Sequence, residues 1–119
     1  MLSTIRALLL AAVCTSGLGC SRSPDSTLAG EWTQRRLDAV DHVTVLTDHI
    51  TYRADHTFVR VFEDPRRGVT NQSGTWRIEG QRIIWQSREY GESRAEILRL
   101  TRDDFQVTAP GGVVGEYKR

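Results

Sequence analysis

Hydrophobic and polar residues alternate along most of the chain after residue 28, in short runs rich in valine, isoleucine, threonine and aromatic residues. This two-residue period is typical of half-buried β-strands, and no segment shows the period of an amphipathic helix. Many short strands without covering helices favour an all-β, antiparallel meander that closes into a small barrel or packs as a sandwich. The pattern predicts strands at 30–36, 40–47, 50–53, 58–63, 74–78, 82–87, 96–101, 105–108 and 113–117.

Turn residues divide these strands. Glu79 and Gly80 are predicted as the central pair of a tight hairpin, with Gly80 supplying the positive φ that such turns require. This register would place Trp76 opposite Ile83, and both Trp76 and Trp85 on the interior face of the sheet. The segment DPRRGVTNQS, at 64–73, shows no hydrophobic period and is predicted as the longest loop.

Residues 1–19 differ in composition from the rest of the chain. Arg6 precedes an uncharged apolar run that begins at Ala7 and ends in small residues, which is the pattern of a cleaved secretory signal peptide. At about 1.5 Å per helical residue this run would span roughly 20 Å, less than the roughly 30 Å of a bilayer core. A permanent transmembrane anchor is therefore not expected.

The sequence Leu18-Gly19-Cys20 that ends this run resembles the lipobox of bacterial lipoproteins. The resemblance implies that Cys20 is acylated, becomes the first residue of the mature chain and attaches the protein to a lipid bilayer. Ser21, in place of aspartate, resembles the outer-membrane sorting signal of enteric-type lipoproteins, so the expected location is the cell envelope, at the periplasmic face of the outer membrane. The inner membrane, and a plain secreted protein with an idle Cys20 thiol, stay open as alternatives.

Composition limits the function of the mature chain. Removal of residues 1–19 takes away one of the 16 basic residues, Arg6, and leaves 15 basic and 15 acidic side chains. This balance argues against a nucleic-acid partner, which would need a clustered basic surface. Because Cys14 lies in the signal peptide, no internal disulfide is possible. The serine-rich segment 20–29 is predicted as the lipidated cysteine and a flexible tether, followed by one domain at 30–119, expected to be a monomer.

Three histidines recur every seven residues, and each follows an aspartate: His42, His49 and His56. Turn chemistry and chance explain this spacing better than a metal site, because no second ligand set with a known spacing accompanies it, although a metal stays an alternative. We find no nucleophile elbow and no phosphate-binding glycine loop. The sequence therefore predicts neither an enzyme nor a cofactor.

The order of several motifs resembles that of the lipocalin-like domains of small bacterial lipoproteins. These motifs are LAGEW at 28–32, YRADHTF at 52–58, SGTWRIEGQRI at 73–83, LRLTRDDFQV at 98–107 and the terminal EYKR. The resemblance implies a barrel of about eight strands in which Gly30 and Trp32 close one end. It also implies that a late arginine, Arg99, Arg102 or Arg119, stacks on Trp32. The sequence departs from the family at His56, where the turn is expected to carry glycine.

Aromatic residues supply the candidates for a binding site inside such a barrel. The predicted ligand-binding residues are Trp32, Tyr52, Phe58, Trp76 and Trp85, although packing in a filled core is their simpler role. The leading hypothesis is a membrane-tethered envelope lipoprotein that binds a small apolar or amphipathic molecule. The alternative is a protein-interaction module, such as an assembly partner or a small periplasmic inhibitor, with a packed barrel. The volume of the interior distinguishes the two, because a barrel of eight strands either fills with side chains or holds one small ligand.

Overall fold

Eight antiparallel strands close into a barrel in the computed structural model, which describes residues 23–119. Each strand pairs with the next along the chain, and the last returns to the first. The predicted all-β meander that closes into a barrel of about eight strands is confirmed, whereas the predicted signal peptide and Cys20 lie outside the described residues. The elements are α1 Pro24–Leu28, β1 Gly30–Leu37, β2 Val45–Tyr52, β3 Thr57–Asp64, β4 Gly68–Glu79, β5 Arg82–Ser87, β6 Gly91–Leu100, β7 Asp104–Thr108 and β8 Val114–Lys118.

The two ends of the barrel differ. At one end, which we call the closed end, large buried side chains pack beneath α1. The other end, which we call the mouth, carries the connections 38–44, 65–67, 88–90 and 109–113. Because successive side chains of a strand point to opposite faces, every second residue faces the interior. The interior cluster comprises Leu28, Trp32, Ile50, Tyr52, Phe58, Trp76, Ile83, Ala95, Phe105, Val107 and Tyr117.

The short helix α1 begins inside the segment that was predicted to be a flexible tether. Ser23 caps it, since the Ser23 hydroxyl accepts a hydrogen bond from the Ser26 amide at 3.2 Å, and Pro24 occupies the first turn. Leu28 is fully buried in the core, and its carbonyl accepts a hydrogen bond from Trp32 Nε1 at 2.7 Å. The prediction of a tether is therefore wrong for residues 24–29, which belong to the folded domain.

Three strand predictions are wrong, and all three errors lie on the mouth side of the barrel. β2 is one strand through Asp48, where a break between two strands was predicted. β4 begins at Gly68, so the predicted long loop is a three-residue turn followed by a strand. β6 begins at Gly91 rather than at residue 96. In each segment an interior-facing position holds a polar residue, namely Asp48, Gln72 or Ser93, so the hydrophobic alternation fails there.

The hairpin between β4 and β5 is displaced by one residue from its predicted register. Glu79 pairs with Arg82, which makes Gly80 and Gln81 the central residues, with Gly80 at a φ of 62°. Trp76 therefore pairs directly with Trp85 and not with Ile83. The prediction that the two indoles share the interior face is confirmed, because Trp76 belongs to the core and Trp85 packs against it.

Candidate ligand-binding cavity

The closed end is sealed by a tryptophan and the last residue of the chain. The guanidinium carbon of Arg119 lies 4.0 Å from the centre of the Trp32 ring, so Arg119 is the stacking arginine among the three candidates. Arg119 also donates hydrogen bonds to the carbonyls of Ala29 at 3.2 Å, Arg102 at 2.6 Å and Thr27. A Cβ on Gly30 would lie 2.4 Å from Arg119 Nη1, which explains the glycine at this position.

The turn between β2 and β3 fastens α1 to the closed end. His56 has a φ of 68°, so it adopts the left-handed conformation for which glycine was expected. Its imidazole lies 2.7 Å from the Asp25 carboxylate and packs on the Trp76 ring with the centroids 4.6 Å apart. His56 thus joins the helix to the barrel while it occupies a turn position.

The three histidines do not come together. His42 lies in the 38–44 loop at the mouth and His49 lies on the outer face of β2, where its Nδ1 is 3.1 Å from Thr33 Oγ1. Within residues 23–119, no group of three histidine, cysteine, aspartate or glutamate side chains is placed to hold a metal ion. The seven-residue spacing therefore corresponds to three separate locations.

The mouth opens into a cavity of about 310 Å³ inside the barrel. This volume is at the lower end of the range of about 300–1,000 Å³ that small-molecule sites occupy. The inner walls are apolar and include Ile50, Phe58, Trp85, Ala95 and Val107. Polar residues from several strands also line it, namely Gln34, Arg36, Arg60, Gln72, Ser93, Arg94 and Tyr117. Apolar walls with a few polar groups are the typical composition of a site for an amphipathic small molecule.

A buried charge pair lies beside the apolar walls. Asp48 is 2% exposed and accepts hydrogen bonds from Arg60 Nε at 2.8 Å, Arg60 Nη2 at 2.7 Å and the Tyr117 hydroxyl at 2.9 Å. Burial opposes the charge of Arg60, but the Asp48 carboxylate raises the pKa of this guanidinium above its ordinary value. Burial and the same carboxylate raise the pKa of Tyr117, so its hydroxyl stays protonated and donates.

Strand pairing is incomplete on one side of the mouth. Thr33 and Lys118 form the one register pair between β1 and β8 among the described residues, and the Gln34 side-chain oxygen accepts a hydrogen bond from the Glu116 amide at 2.8 Å. Pairing between β6 and β7 begins at Glu96, which leaves residues 91–95 without a partner on that side. The 109–113 loop covers this part of the wall, so the cavity is bounded there by a loop and not by a continuous ladder.

Exposed apolar side chains surround the mouth. Of the nine large hydrophobic residues that are exposed among the described residues, eight lie at this end of the barrel, and Leu98 is the exception. Clustered exposed apolar residues mark binding surfaces more often than scattered ones do. The eight residues, which we call the apolar rim, are Leu37, Val40, Val43, Val45, Val69, Tyr90, Val113 and Val114.

The five predicted ligand-binding residues fall into two groups. Phe58 and Trp85 line the cavity, whereas Trp32, Tyr52 and Trp76 belong to the packed core. Tyr52 nevertheless supports the wall, because its hydroxyl accepts a hydrogen bond from Trp85 Nε1 at 3.0 Å, and burial raises the pKa of Tyr52.

Sequence reasoning did not identify the polar lining. The signal that could have found part of it is strand parity: Gln34 and Arg36 follow Trp32 by two and four residues, and a strand places all three on one face. Arg60 follows Phe58 by two residues, and Gln72 precedes Trp76 by four residues, so the same rule places both on the inner face. Because polar residues are usually exposed, their position inside the barrel was not predicted.

Comparison with known proteins identifies the fold. No protein-family model matches the chain, and no curated protein is significantly similar in sequence. A lipocalin-like protein from Bacteroides uniformis is similar in structure, with a TM-score of 0.58 and 14% identity over 78% of this chain and 98% of that one. A second Bacteroides uniformis protein, determined by NMR, has a TM-score of 0.59 and 18% identity over 80% of this chain and 90% of its own. The barrel is therefore lipocalin-like, and at these identities the similarity extends to the fold alone.

The described residues include no helix with the length and apolar composition that a membrane crossing requires.

Proposed function

We propose that this protein binds one small apolar or amphipathic molecule in the cavity at the mouth of its barrel, as a monomer and without catalysis. The cavity carries the proposal. The barrel has one sealed end and one open end, and its inner walls are largely apolar over a volume of about 310 Å³. A lipocalin-like fold is compatible with this role but does not by itself establish it.

A cavity-blocking variant tests this proposal. Ser93 faces the interior opposite Trp85, and it is exposed at the mouth, so Ser93→Trp would fill the entrance without overpacking the core. Gln86 faces outward on the neighbouring strand β5, and its side chain makes no ion pair or hydrogen bond within the described residues, so Gln86→Trp adds the same side chain to the outer surface. We expect an environment-sensitive apolar dye to bind the wild type and Gln86→Trp saturably and Ser93→Trp weakly. Equal binding by the two variants would exclude the cavity as the site.

We further propose that Cys20 is acylated and tethers the barrel to a bilayer in the cell envelope, at the periplasmic face of the outer membrane. The support is the signal-like sequence that ends in Leu18-Gly19-Cys20. Ser23 caps α1 at the closed end and follows Cys20 by three residues, a distance of at most about 11 Å. A lipid anchor at Cys20 would therefore hold the closed end near its membrane and direct the mouth away from it, toward the aqueous space.

Replacement of the cysteine tests the anchor. Cys20→Ser should abolish metabolic labelling with radioactive fatty acid and release the protein from the membrane fraction. Unchanged labelling and membrane partition in the variant would refute acylation at this residue.

The apolar rim favours a second candidate, a protein-interaction module of the envelope. Val40 and Val43 are 83% and 75% exposed in the 38–44 loop, which makes them the most accessible part of this surface. If a partner protein docks on the rim, Val40→Asp combined with Val43→Asp should abolish its co-purification and leave dye binding unchanged. Loss of dye binding alone would assign the rim to ligand entry.

A further inference from the structure

We infer that the ligand is an amphipathic anion whose negatively charged group is bound by Arg36 at the mouth, an inference that rests on the proposed function of the cavity. Its apolar part would lie deeper, against Phe58 and Trp85. Position, charge and hydrogen bonding of the cavity side chains carry this assignment.

Arg36 faces the interior near the mouth end of β1. It lies four residues from Trp32, so the two side chains share the inner face, and it lines the cavity. At about 3.3 Å per residue, four residues place Arg36 roughly 13 Å along β1 from the tryptophan that seals the closed end. Arg36 pairs in register with Leu46, two residues closer to the mouth than Asp48. Its guanidinium is thus available to a ligand that enters the cavity.

The charges around the cavity do not balance. Three arginines line it, and its lining contains neither aspartate nor glutamate. Two of these cations are compensated, since Arg60 pairs with Asp48 and Arg94 pairs with Glu92. Among residues 23–119, no carboxylate lies within ion-pair distance of Arg36. The cavity therefore presents one uncompensated positive charge at its entrance.

Neutral donors accompany this charge. The side chains of Gln72 and Ser93 line the cavity from β4 and β6, and neither makes a hydrogen bond within the described residues. An amide and a hydroxyl can both donate to an oxyanion. By contrast, the deeper wall at Ile50, Phe58 and Val107 offers only apolar contact. A ligand that satisfies both regions carries an apolar body and a negatively charged, oxygen-rich group at one end.

Three probes that differ only in their polar group test this inference: decanoate, decanol and decylamine. Wild-type protein should bind decanoate about fivefold to tenfold more tightly than decanol, because a charge-assisted hydrogen bond contributes this much in a site that water partly screens. Decylamine should bind most weakly. Added salt should reduce the preference for decanoate but leave decanol binding unchanged.

Variants assign the effect to one residue. Arg36→Gln should abolish the preference for decanoate over decanol, and Arg36→Lys should retain most of it. Arg35→Gln is the matched control, since Arg35 is the exposed neighbour on the outer face of the same strand. Should Arg36→Gln fold poorly, Arg36→Met, which keeps the aliphatic part of the side chain and removes the charge, should abolish the preference instead. An unchanged preference in either folded variant would refute the assignment to Arg36.

Two results would overturn the inference at different levels. Equal affinity of the wild type for decanoate and decanol would refute a bound anionic group and leave the cavity as an apolar site. Failure of all three probes, and of the environment-sensitive dye, to bind would refute the proposed function together with the inference.

Discussion

Asp48→Asn should destabilise the barrel far more than the loss of a surface ion pair would, because it leaves the Arg60 guanidinium inside the barrel without its counter-charge. Asp48 is 2% exposed and accepts three hydrogen bonds, two from Arg60 and one from the Tyr117 hydroxyl. An asparagine amide presents one oxygen to these donors in place of two. The asparagine NH₂ group is itself a donor, so it would face an Arg60 or Tyr117 donor that has lost its acceptor.

The expected cost follows from the burial of each partner. Removal of one member of a buried ion pair costs about 3–5 kcal/mol. The Arg60 side chain is 32% exposed toward the cavity, so water partly solvates the remaining charge and the cost of Asp48→Asn should be near the lower end, about 3 kcal/mol. Arg60→Met should cost more, about 5 kcal/mol, because it leaves the nearly inaccessible Asp48 carboxylate unpaired.

Urea unfolding near neutral pH measures these free energies, and a double-mutant cycle isolates the pair. Asp48→Asn combined with Arg60→Met removes both charges, so the double variant should be markedly more stable than the sum of the two single effects predicts. The slope of unfolding free energy against urea should stay unchanged if the fold is retained. An unfolding free energy for Asp48→Asn within about 0.5 kcal/mol of the wild type, or additive single effects, would show that Asp48 and Arg60 do not compensate each other inside the barrel.

Two further predictions concern the closed end and the mouth loop. Gly30→Ala should destabilise the barrel by about 1–3 kcal/mol in the same urea assay, because φ is +127° and the new Cβ would displace Arg119; a neutral effect would contradict the observed packing. Hydrogen bonds from the Thr44 hydroxyl, the Thr44 amide and the Val43 amide lower the pKa of Asp41 to about 2, from 3.8. Because the folded pKa is the lower one, the ionised Asp41 contributes stability above pH 3.8 that is lost as the pH falls toward 2. Asp41→Asn should therefore show a weaker loss of stability than the wild type between about pH 5 and about pH 2, and parallel curves would contradict this.

The sequence predicts the closed end of the barrel well because local rules apply there. Gly30 and Trp32 mark the start of the first strand, and the predicted interior residues Phe58 and Trp76 are buried. His56 adopts the left-handed turn that the pattern requires although it replaces glycine. At this end the inward-facing residues are apolar, so period-two reasoning succeeds for the core, although Ile84 has the outward parity of β5 and is also buried.

The same rules fail at the mouth because the interior there is partly polar. Asp48 interrupts the alternation of β2, and its partner Arg60 is distant in sequence, so no local pattern indicates that the charge is compensated. Gln72 and Ser93 face the cavity and make their segments resemble loops. Local turn preferences also do not distinguish Glu79-Gly80 from Gly80-Gln81 as the central pair of the hairpin, so its register was displaced by one residue. The three strand errors therefore coincide with polar side chains inside the mouth, whereas the Gly80 turn and α1 are errors at the closed end.

Native mass spectrometry of the protein purified from its own host shows directly whether the cavity holds a ligand, with Ser93→Trp and Gln86→Trp analysed beside the wild type. We expect one small amphipathic anion per chain in the wild type and in Gln86→Trp, and none in Ser93→Trp. A ligand-free wild type, or the same bound mass in both variants, would contradict ligand binding in the cavity.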